Sequence, residues 1–326
     1  MASHPRIAMI KLLLCLFLIS ATAYASGTLI VVTGAAGETE FGESFARQST
    51  AWKEAGTSGG LRLVEIGSGP EKKEVTDFET LRAAVTAEKA NGMHALWIVL
   101  NGHGTWDGKN ARFNLRGPDV SADDLSAWLK PMKRPCIIIN TSSASAPFIT
   151  SLAAPGRIVI TATRSGNELN FARFGKFLAS SLVDRTADID TDGSISLLEA
   201  YLAAARKTIE FYRVEKRLAT EHALLDDNGD GQGTPVDWFR GLRAIKKSDK
   251  GMAVDGEMAR RTFLIPPASD AVWTEEMTKQ RDLLESRLQA LREAKSTMRE
   301  DDYYNKLEPI LLELAMLTRK ATEPRK

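Results

Sequence analysis

An acidic segment in the second half of the chain has the residue types and the spacing of a calcium-binding loop. Carboxylates alternate at Asp188, Asp190 and Asp192, and Gly193 follows where such a loop makes its sharpest turn. Ca²⁺ takes about six to eight oxygen ligands, which a twelve-residue loop supplies from alternate positions and from a glutamate at its end. The spacing therefore predicts a Ca²⁺ site. Its further expected ligands are the Ser194 carbonyl, the Ser196 hydroxyl or a water beside it, and both carboxylate oxygens of Glu199.

A second acidic segment, residues 226–237, matches this EF-hand pattern less completely. Its alternating oxygen donors are Asp226, Asn228 and Asp230. The last position holds Asp237, whose side chain reaches a central ion less well because it is shorter than that of glutamate. Two interpretations stay open at this point, namely a weaker metal site and a turn rich in glycine and aspartate.

His103 and a group of serines stand where two apolar segments end. His103 and Gly104 follow the apolar run 96–100, and the segment 141–145 (TSSAS) follows the run 136–139. Such runs predict buried strands. In a parallel sheet, ligand-binding and catalytic groups lie just beyond the carboxyl ends of the strands. We therefore expect the two segments to meet at one edge of a sheet.

Alternating strands and helices are predicted to position these residues. The apolar runs are continuous, which is typical of a parallel sheet covered by helices on both faces, so the sequence predicts an α/β fold. The strands are expected at 28–33, 61–66, 95–100, 136–140 and 157–161. The helices are expected at 41–55, 76–90, 121–129, 171–183 and 197–217, with a hairpin-like stretch at 105–116.

Over residues 28–240 the chain resembles the caspase–legumain clan of cysteine peptidases, and in particular the exported bacterial branch of the legumain family. The resemblance is carried by LWIVLNGHG (96–104), CIIINTSSASAPF (136–148) and RIVITATRSGNELNFAR (157–173). It implies a caspase/legumain-like α/β fold, a mostly parallel sheet with helices on both faces. It also implies that His103 is the general base, with N–H groups near Gly104 and Ser143 stabilising the oxyanion.

Two polar positions of the family have changed in this chain. Ser143 stands where the family has its nucleophilic cysteine, or Ser142 does if the alignment shifts by one residue. The family's asparagine after the first strand falls near Ala36. A serine hydroxyl is a weaker nucleophile than a thiolate and needs a well-oriented base. The sequence therefore favours a non-proteolytic pseudopeptidase that binds a peptide or protein ligand. The alternative is an active endopeptidase that uses Ser143 and His103.

The first 25 residues predict an export signal. Arg6 and Lys11 precede the apolar run 12–19, and Ala23–Ala25 forms an A-x-A cleavage pattern. The run is shorter than the roughly 20 residues that cross a bilayer. We expect cleavage after Ala25, a periplasmic or extracellular location, and no stable membrane insertion of the mature chain.

The composition of the 326-residue chain excludes several classes of protein. With 43% hydrophobic and 26% charged residues, the chain is neither disordered nor a polytopic membrane protein. The 43 basic residues against 42 acidic ones give no basic excess, so nucleic acid is not an expected partner. Two cysteines, Cys15 and Cys136, are too few for a disulfide scaffold. Cys136 begins its strand, away from His103, and is expected to be a small buried hydrophobe.

The carboxyl-terminal part predicts two charged amphipathic helices, 273–298 and 302–320, that form a helical hairpin. The oligomeric state and the peptide specificity stay open. The predicted division of the chain is a signal peptide (1–25), a legumain/caspase-like α/β domain (26–185), an EF-hand-like element packed on it (186–245), a connector (246–267) and the hairpin (268–326).

Overall fold

The computed structural model describes residues 27–71, 74–246, 253–267 and 273–322. The predicted signal peptide and its cleavage point lie outside these residues. The chain divides into two compact units: the first runs to Ile265 without Thr191–Ser194, and the second contains Thr191–Ser194 and the residues from Pro266 onward. Among the described helices, none combines the length and the apolar character that a membrane crossing requires.

Short apolar segments form the strands of the first unit. They are β1 (Thr28–Thr33), β2 (Arg62–Ile66), β3 (Leu96–Asn101), β4 (Gly104–Trp106), β5 (Ala111–Phe113), β6 (Val120–Ser121), β7 (Cys136–Asn140), β8 (Arg157–Thr161), β9 (Leu224–Asp226), β10 (Thr234–Pro235), β11 (Phe239–Arg240) and β12 (Arg243–Ala244). Seven of them form the central sheet, in the order β10-β9-β8-β7-β3-β1-β2. Strands β2, β1, β3, β7 and β8 are parallel, and β9 and β10 continue the sheet in antiparallel pairs.

The helices of the first unit begin at polar caps in several cases. They are α1 (Thr39–Ser58), α2 (Asp77–Thr86), α3 (Ala122–Leu129), α4 (Pro147–Leu152), α5 (Phe174–Ser181), α6 (Leu197–Val214) and α7 (Glu257–Arg260). Thr76, Ser121 and Ser196 each cap the helix that follows, and the acid three residues later bonds back to the cap. Local sequence alone therefore fixes where α2, α3 and α6 start.

Both faces of the sheet are buried. On one face, Trp97 and Val99 of β3 pack in a cluster that includes Trp52 of α1. On the other face, Ile98 and Leu100 of the same strand pack in a second cluster with residues of α2 and α3. Successive side chains of a strand point to opposite faces, so a continuous apolar strand supplies both layers. The predicted α/β class, with a mostly parallel sheet and helices on both faces, is confirmed.

Several predicted bounds differ from those observed by a few residues, and for two elements the contacts in the structure explain the difference. The stretch 105–116 is not a simple hairpin, because β4 and β5 pair with β6 to form a three-stranded antiparallel sheet. The helix predicted at 76–90 ends at Thr86, after which Glu88 turns to form a buried ion pair with Arg134, at 2.9 Å. A tertiary ion pair therefore replaces the last turn that the sequence pattern predicts.

The second unit contains α8 (Glu275–Ala294) and α9 (Glu300–Thr322). The two helices share two apolar clusters. Met277 and Leu284 of α8 meet Leu317 of α9 in the first, and Leu288 meets Ile310 in the second. Contacts at a helical spacing along both elements explain why two highly charged helices pack together.

Ile98→Ala in the centre of β3 should lower the free energy of unfolding by about 2–5 kcal/mol, because it leaves a cavity in a fully buried layer. Leu218→Ala is the control, because Leu218 is 89% exposed and its loss should change that free energy by less than about 0.5 kcal/mol. Urea denaturation followed by tryptophan fluorescence measures both. Equal losses in the two variants would contradict this assignment of the core.

Candidate functional site

The parallel pairing of β3 with β7 brings the two polar segments to the same edge of the sheet. Leu100 pairs with Asn140, so Gly104 and Ser143 both lie just beyond the carboxyl ends of their strands. The Ser143 hydroxyl donates to the Gly104 carbonyl at 3.1 Å and accepts from the Gly104 N–H at 3.3 Å. A side chain at position 104 would collide with the Ser143 carbonyl and the Ser142 hydroxyl, so this contact requires glycine.

Ser142 and Ser143 are both buried, with 0% and 3% of their surfaces exposed. The Ser142 hydroxyl donates to Asn140 Oδ1 at 2.7 Å, and its backbone N–H donates to the same oxygen at 3.1 Å. Both candidate nucleophiles are therefore hydrogen-bonded to protein groups, and neither presents its oxygen to solvent.

The His103 imidazole has different partners. Its Nε2 lies 3.3 Å from the carbonyl oxygen of Ala36, and because a carbonyl only accepts, Nε2 carries the proton. Phe41 and Phe45 pack edge-on against the ring, each with ring centroids 5.0 Å from that of the histidine. Within the part of the chain that the structure describes, no hydrogen bond joins His103 to Ser142 or Ser143. The backbone carbonyl of Ala36 and the two phenylalanine rings thus hold the imidazole in place.

The turn after β7 is held in an unusual backbone conformation. Ala144 has φ of 52°, in the left-handed region that costs a non-glycine residue roughly 1 kcal/mol, and it is buried. Its N–H donates to the Glu168 carbonyl at 2.8 Å. The next residue, Ser145, accepts from the N–H groups of Ala162 and Thr163. Several tertiary hydrogen bonds therefore maintain a strained turn beside Ser143.

A histidine–carboxylate pair joins two connecting segments, with Glu168 between β8 and α5 and His222 between α6 and β9. His222 Nδ1 is 2.5 Å from Glu168 Oε1, and the His222 N–H donates to Oε2 of the same carboxylate at 3.2 Å. The sequence gives no signal for this pair, because its members are far apart in the chain and only the fold brings them together.

Glu221 is a buried carboxyl group whose contacts the sequence does not reveal. It is 3% exposed and accepts from the N–H groups of Arg173 and Phe174 and from the Tyr212 hydroxyl. Burial raises the pKa of Glu221 above its ordinary 4.5, although these hydrogen bonds oppose the change. The Glu221 carboxyl group thus caps the start of α5.

The first acidic loop brings three carboxylates together. One oxygen each from Asp188, Asp190 and Asp192 lies within 4.8 Å of the others, which makes them the one cluster of three or more His, Cys, Asp or Glu ligand atoms in the described ranges. Gly193 has φ of 86°, as a sharp loop requires. Arg260 Nη2 lies 3.8 Å from Asp190 Oδ2. The donor set suits a hard, oxygen-binding cation.

Glu199 and Ser196 do not join that cluster. Glu199 is 2% exposed, and its Oε1 accepts from the N–H groups of Ile189 and Asp190 at 2.8 and 3.4 Å. Its Oε2 accepts from the N–H and the hydroxyl of Ser196, both at 2.8 Å. Glu199 therefore closes the acidic loop through its backbone and caps α6. Ser194 donates its N–H to Asp192 Oδ1 at 2.8 Å.

The second acidic loop is closed by its own hydrogen bonds. Asp226 accepts from the N–H groups of Gly229 and Gly231, and Asn228 Oδ1 accepts from the N–H of Asp230. Asp226 is fully buried, and burial raises its pKa to about 6. The predicted ligands Asp226, Asn228 and Asp230 thus form successive turns at the end of β9.

The chain matches no protein-family model and no curated protein. Among solved structures, it is similar to the Drosophila initiator caspase Dronc, with 12% identity and a TM-score of 0.42, over 65% of this chain and 83% of that one. Caspase-1 from Spodoptera frugiperda is similar with 11% identity and a TM-score of 0.39, over 62% of this chain and 86% of that one.

We expect the wild type to have a higher free energy of unfolding than Glu221→Gln at low pH. The difference between the two should shrink as pH rises above about 4.5. The raised pKa of Glu221 means that the folded state holds the proton more tightly, so this contribution is fully present at low pH and is lost as pH rises through the folded-state pKa. Urea denaturation between about pH 4 and pH 7 measures it.

Glu210→Gln is the control for this experiment. Arg213 donates a hydrogen bond to Glu210 and lowers the pKa of that carboxyl, so any change with pH should be small and of opposite sign. If the difference in free energy of unfolding between the wild type and Glu221→Gln grew with pH, the raised pKa of Glu221 would be contradicted.

Proposed function

We propose that the protein is an exported, calcium-binding pseudopeptidase of the legumain-like type, which binds a peptide or protein ligand and does not cleave it. The observation that carries the proposal is that His103 and Ser143 have separate hydrogen-bond partners. The imidazole donates to Ala36, and the hydroxyl is bonded to the backbone of Gly104. This absence of a hydrogen bond between the two side chains, among the described residues, supports a site that does not cleave.

Peptide hydrolysis by serine needs a base in hydrogen-bond contact with the hydroxyl and a nucleophile that reaches the substrate carbonyl. In the described residues no hydrogen bond joins the His103 ring, whose Nε2 contacts the Ala36 carbonyl, to Ser143, and Ser143 is 3% exposed. The N–H of Gly104, a predicted oxyanion donor, is used by the Ser143 hydroxyl. The missing contact between base and hydroxyl, the buried nucleophile and the occupied Gly104 N–H all support the pseudopeptidase over the endopeptidase alternative.

The mature wild-type chain, incubated with a peptide library and Ca²⁺, should release no more product than Ser142→Ala, Ser143→Ala or His103→Ala. Mass spectrometry of the library measures cleavage. Cleavage by the wild type that disappears in both Ser143→Ala and His103→Ala would establish the endopeptidase and overturn the proposal. Cleavage that disappears in Ser142→Ala and His103→Ala but not in Ser143→Ala would overturn it equally, because Ser142 is the other buried hydroxyl at this edge of the sheet.

Calcium binding is proposed for the first acidic loop. The three clustered aspartates supply oxygen ligands, and Glu199 holds the backbone of the same loop against the start of α6. A cation at the cluster would offset the repulsion among carboxylates that lie within 4.8 Å of one another. Asp226, Asn228 and Asp230 are the ligands proposed for a second, weaker ion.

Ca²⁺ at about 100 times its Kd should add about 2.7 kcal/mol to the free energy of unfolding, and so raise the melting temperature by several degrees. The double variant Asp190→Asn, Asp192→Asn should lose most of this shift. Glu54→Gln on the exposed side of α1 is the control and should keep it. Differential scanning calorimetry with Ca²⁺ and with EDTA provides the comparison. A full shift in the double variant would rule out this loop as the site.

A further inference from the structure

A cavity of about 320 Å³ lies between α1 and α5, beside the His103 ring. Volumes of this size accommodate small ligands. Four aromatic rings, Phe41, Phe171, Phe177 and Phe211, supply its apolar wall. Two of them also contact the imidazole: Phe41 has its ring centroid 5.0 Å from that of His103, and Phe171 has its centroid at 6.1 Å. The Phe41 and Phe171 rings therefore both line the cavity and contact His103.

The polar lining of this cavity is mainly cationic. Arg47, Arg173 and Lys176 line it, against one acid, Glu40. Arg47 pairs with Glu43 at 3.4 Å, and both side chains are more than 60% exposed. Such an exposed pair is screened by water and leaves the cation available to a ligand.

Arg173 and Lys176 hold their charges beside the rings. The Arg173 guanidinium lies 4.5 Å from the Phe211 ring centroid and 5.6 Å from that of Phe171. Lys176 Nζ lies 5.9 Å from the centroid of Phe177. Arg173 also interacts electrostatically with the buried Glu221 carboxyl group. Lys176 is exposed, and within the described ranges it forms no ion pair.

A buried amide completes the lining. Gln48 is 5% exposed, and its Nε2 is 3.4 Å from the Ser44 hydroxyl. An amide and a hydroxyl next to three cations suit an anion that accepts several hydrogen bonds. Aromatic walls suit hydrocarbon. A carboxylate attached to an apolar group has both properties.

We propose that this cavity binds an apolar carboxylate, with the acid group near Arg173 and Lys176 and the hydrocarbon against the four phenylalanine rings. A shallower groove adjoins the cavity at Phe177 and Phe211 and continues to Val214, which is 62% exposed. The ligand can therefore extend along α6. This favours the carboxyl-terminal residue of a peptide over a free acid, a choice that rests on the proposed peptide-binding function.

Four probes test whether the cavity recognises a carboxylate and whether that carboxylate belongs to a peptide or to a free acid. The peptide N-acetyl-Ala-Ala-Phe and free 3-phenylpropionate carry the carboxylate, and the amide of each lacks it. Isothermal titration calorimetry of the mature chain in EDTA should show both acids binding, the peptide more tightly, and each amide at least about tenfold weaker. EDTA keeps the result independent of calcium binding, and the absence of cleavage is tested separately.

Two variants test the assigned cations. Lys176→Gln changes an exposed side chain and should weaken the binding of both acids about tenfold without affecting the fold. Arg173→Gln should weaken the binding of both acids by a similar factor. Arg82→Gln, an exposed arginine on α2, is the control and should leave binding unchanged. In the wild type, bound acid should also shift the ring resonances of His103 through Phe41 and Phe171.

Equal affinity for acids and amides, or unchanged affinity in both charge variants, would overturn the site. Saturable binding by none of the four probes would do so as well. Binding of 3-phenylpropionate without the peptide acid would overturn the peptide source and with it the link to the proposed function. Binding of the peptide acid by a chain that also cleaves the peptide library would support the cavity while rejecting the pseudopeptidase.

Discussion

The parallel register between β3 and β7 determines which residues that follow these two strands meet at the edge of the sheet. Leu96 pairs with Cys136 and Leu100 pairs with Asn140. Ladder hydrogen bonds and two apolar layers hold this register, and a slip of one residue would exchange the two faces of the strand. Because the strands are aligned at both ends, Gly104 and Ser143 have to meet, and Cys136 has to lie at the opposite edge.

The contact at that edge is made by backbone as much as by side chains. Gly104 and Ser143 exchange hydrogen bonds, and Ala144 is kept in a left-handed conformation by its bond to Glu168. Groups that satisfy one another are stable when buried and have little left for a substrate. A turn of this kind fits a rigid wall of a binding cleft better than a nucleophile that must move a proton.

The sequence predicts the sheet well and its long-range polar contacts poorly. Continuous apolar runs leave few alternatives to a parallel sheet, and alternate aspartates converge because the loop spacing alone brings them together. Glu199 is different, since the spacing Ser196-x-x-Glu199 is also that of a capping box, and the structure uses both side chains that way. Glu168 and His222 meet only through the tertiary fold, so no local pattern could predict their contact.

The position of Cys136 has a consequence for thiol chemistry. The side chain lies within the sheet, 1% exposed, and burial raises the pKa of its thiol. Disulfide exchange requires a thiolate that an oxidant can reach. In the folded protein this sulfur is therefore protected from disulfide exchange. A thiol reagent can reach it only when the central strands separate, so the rate of its modification reports the opening of the sheet.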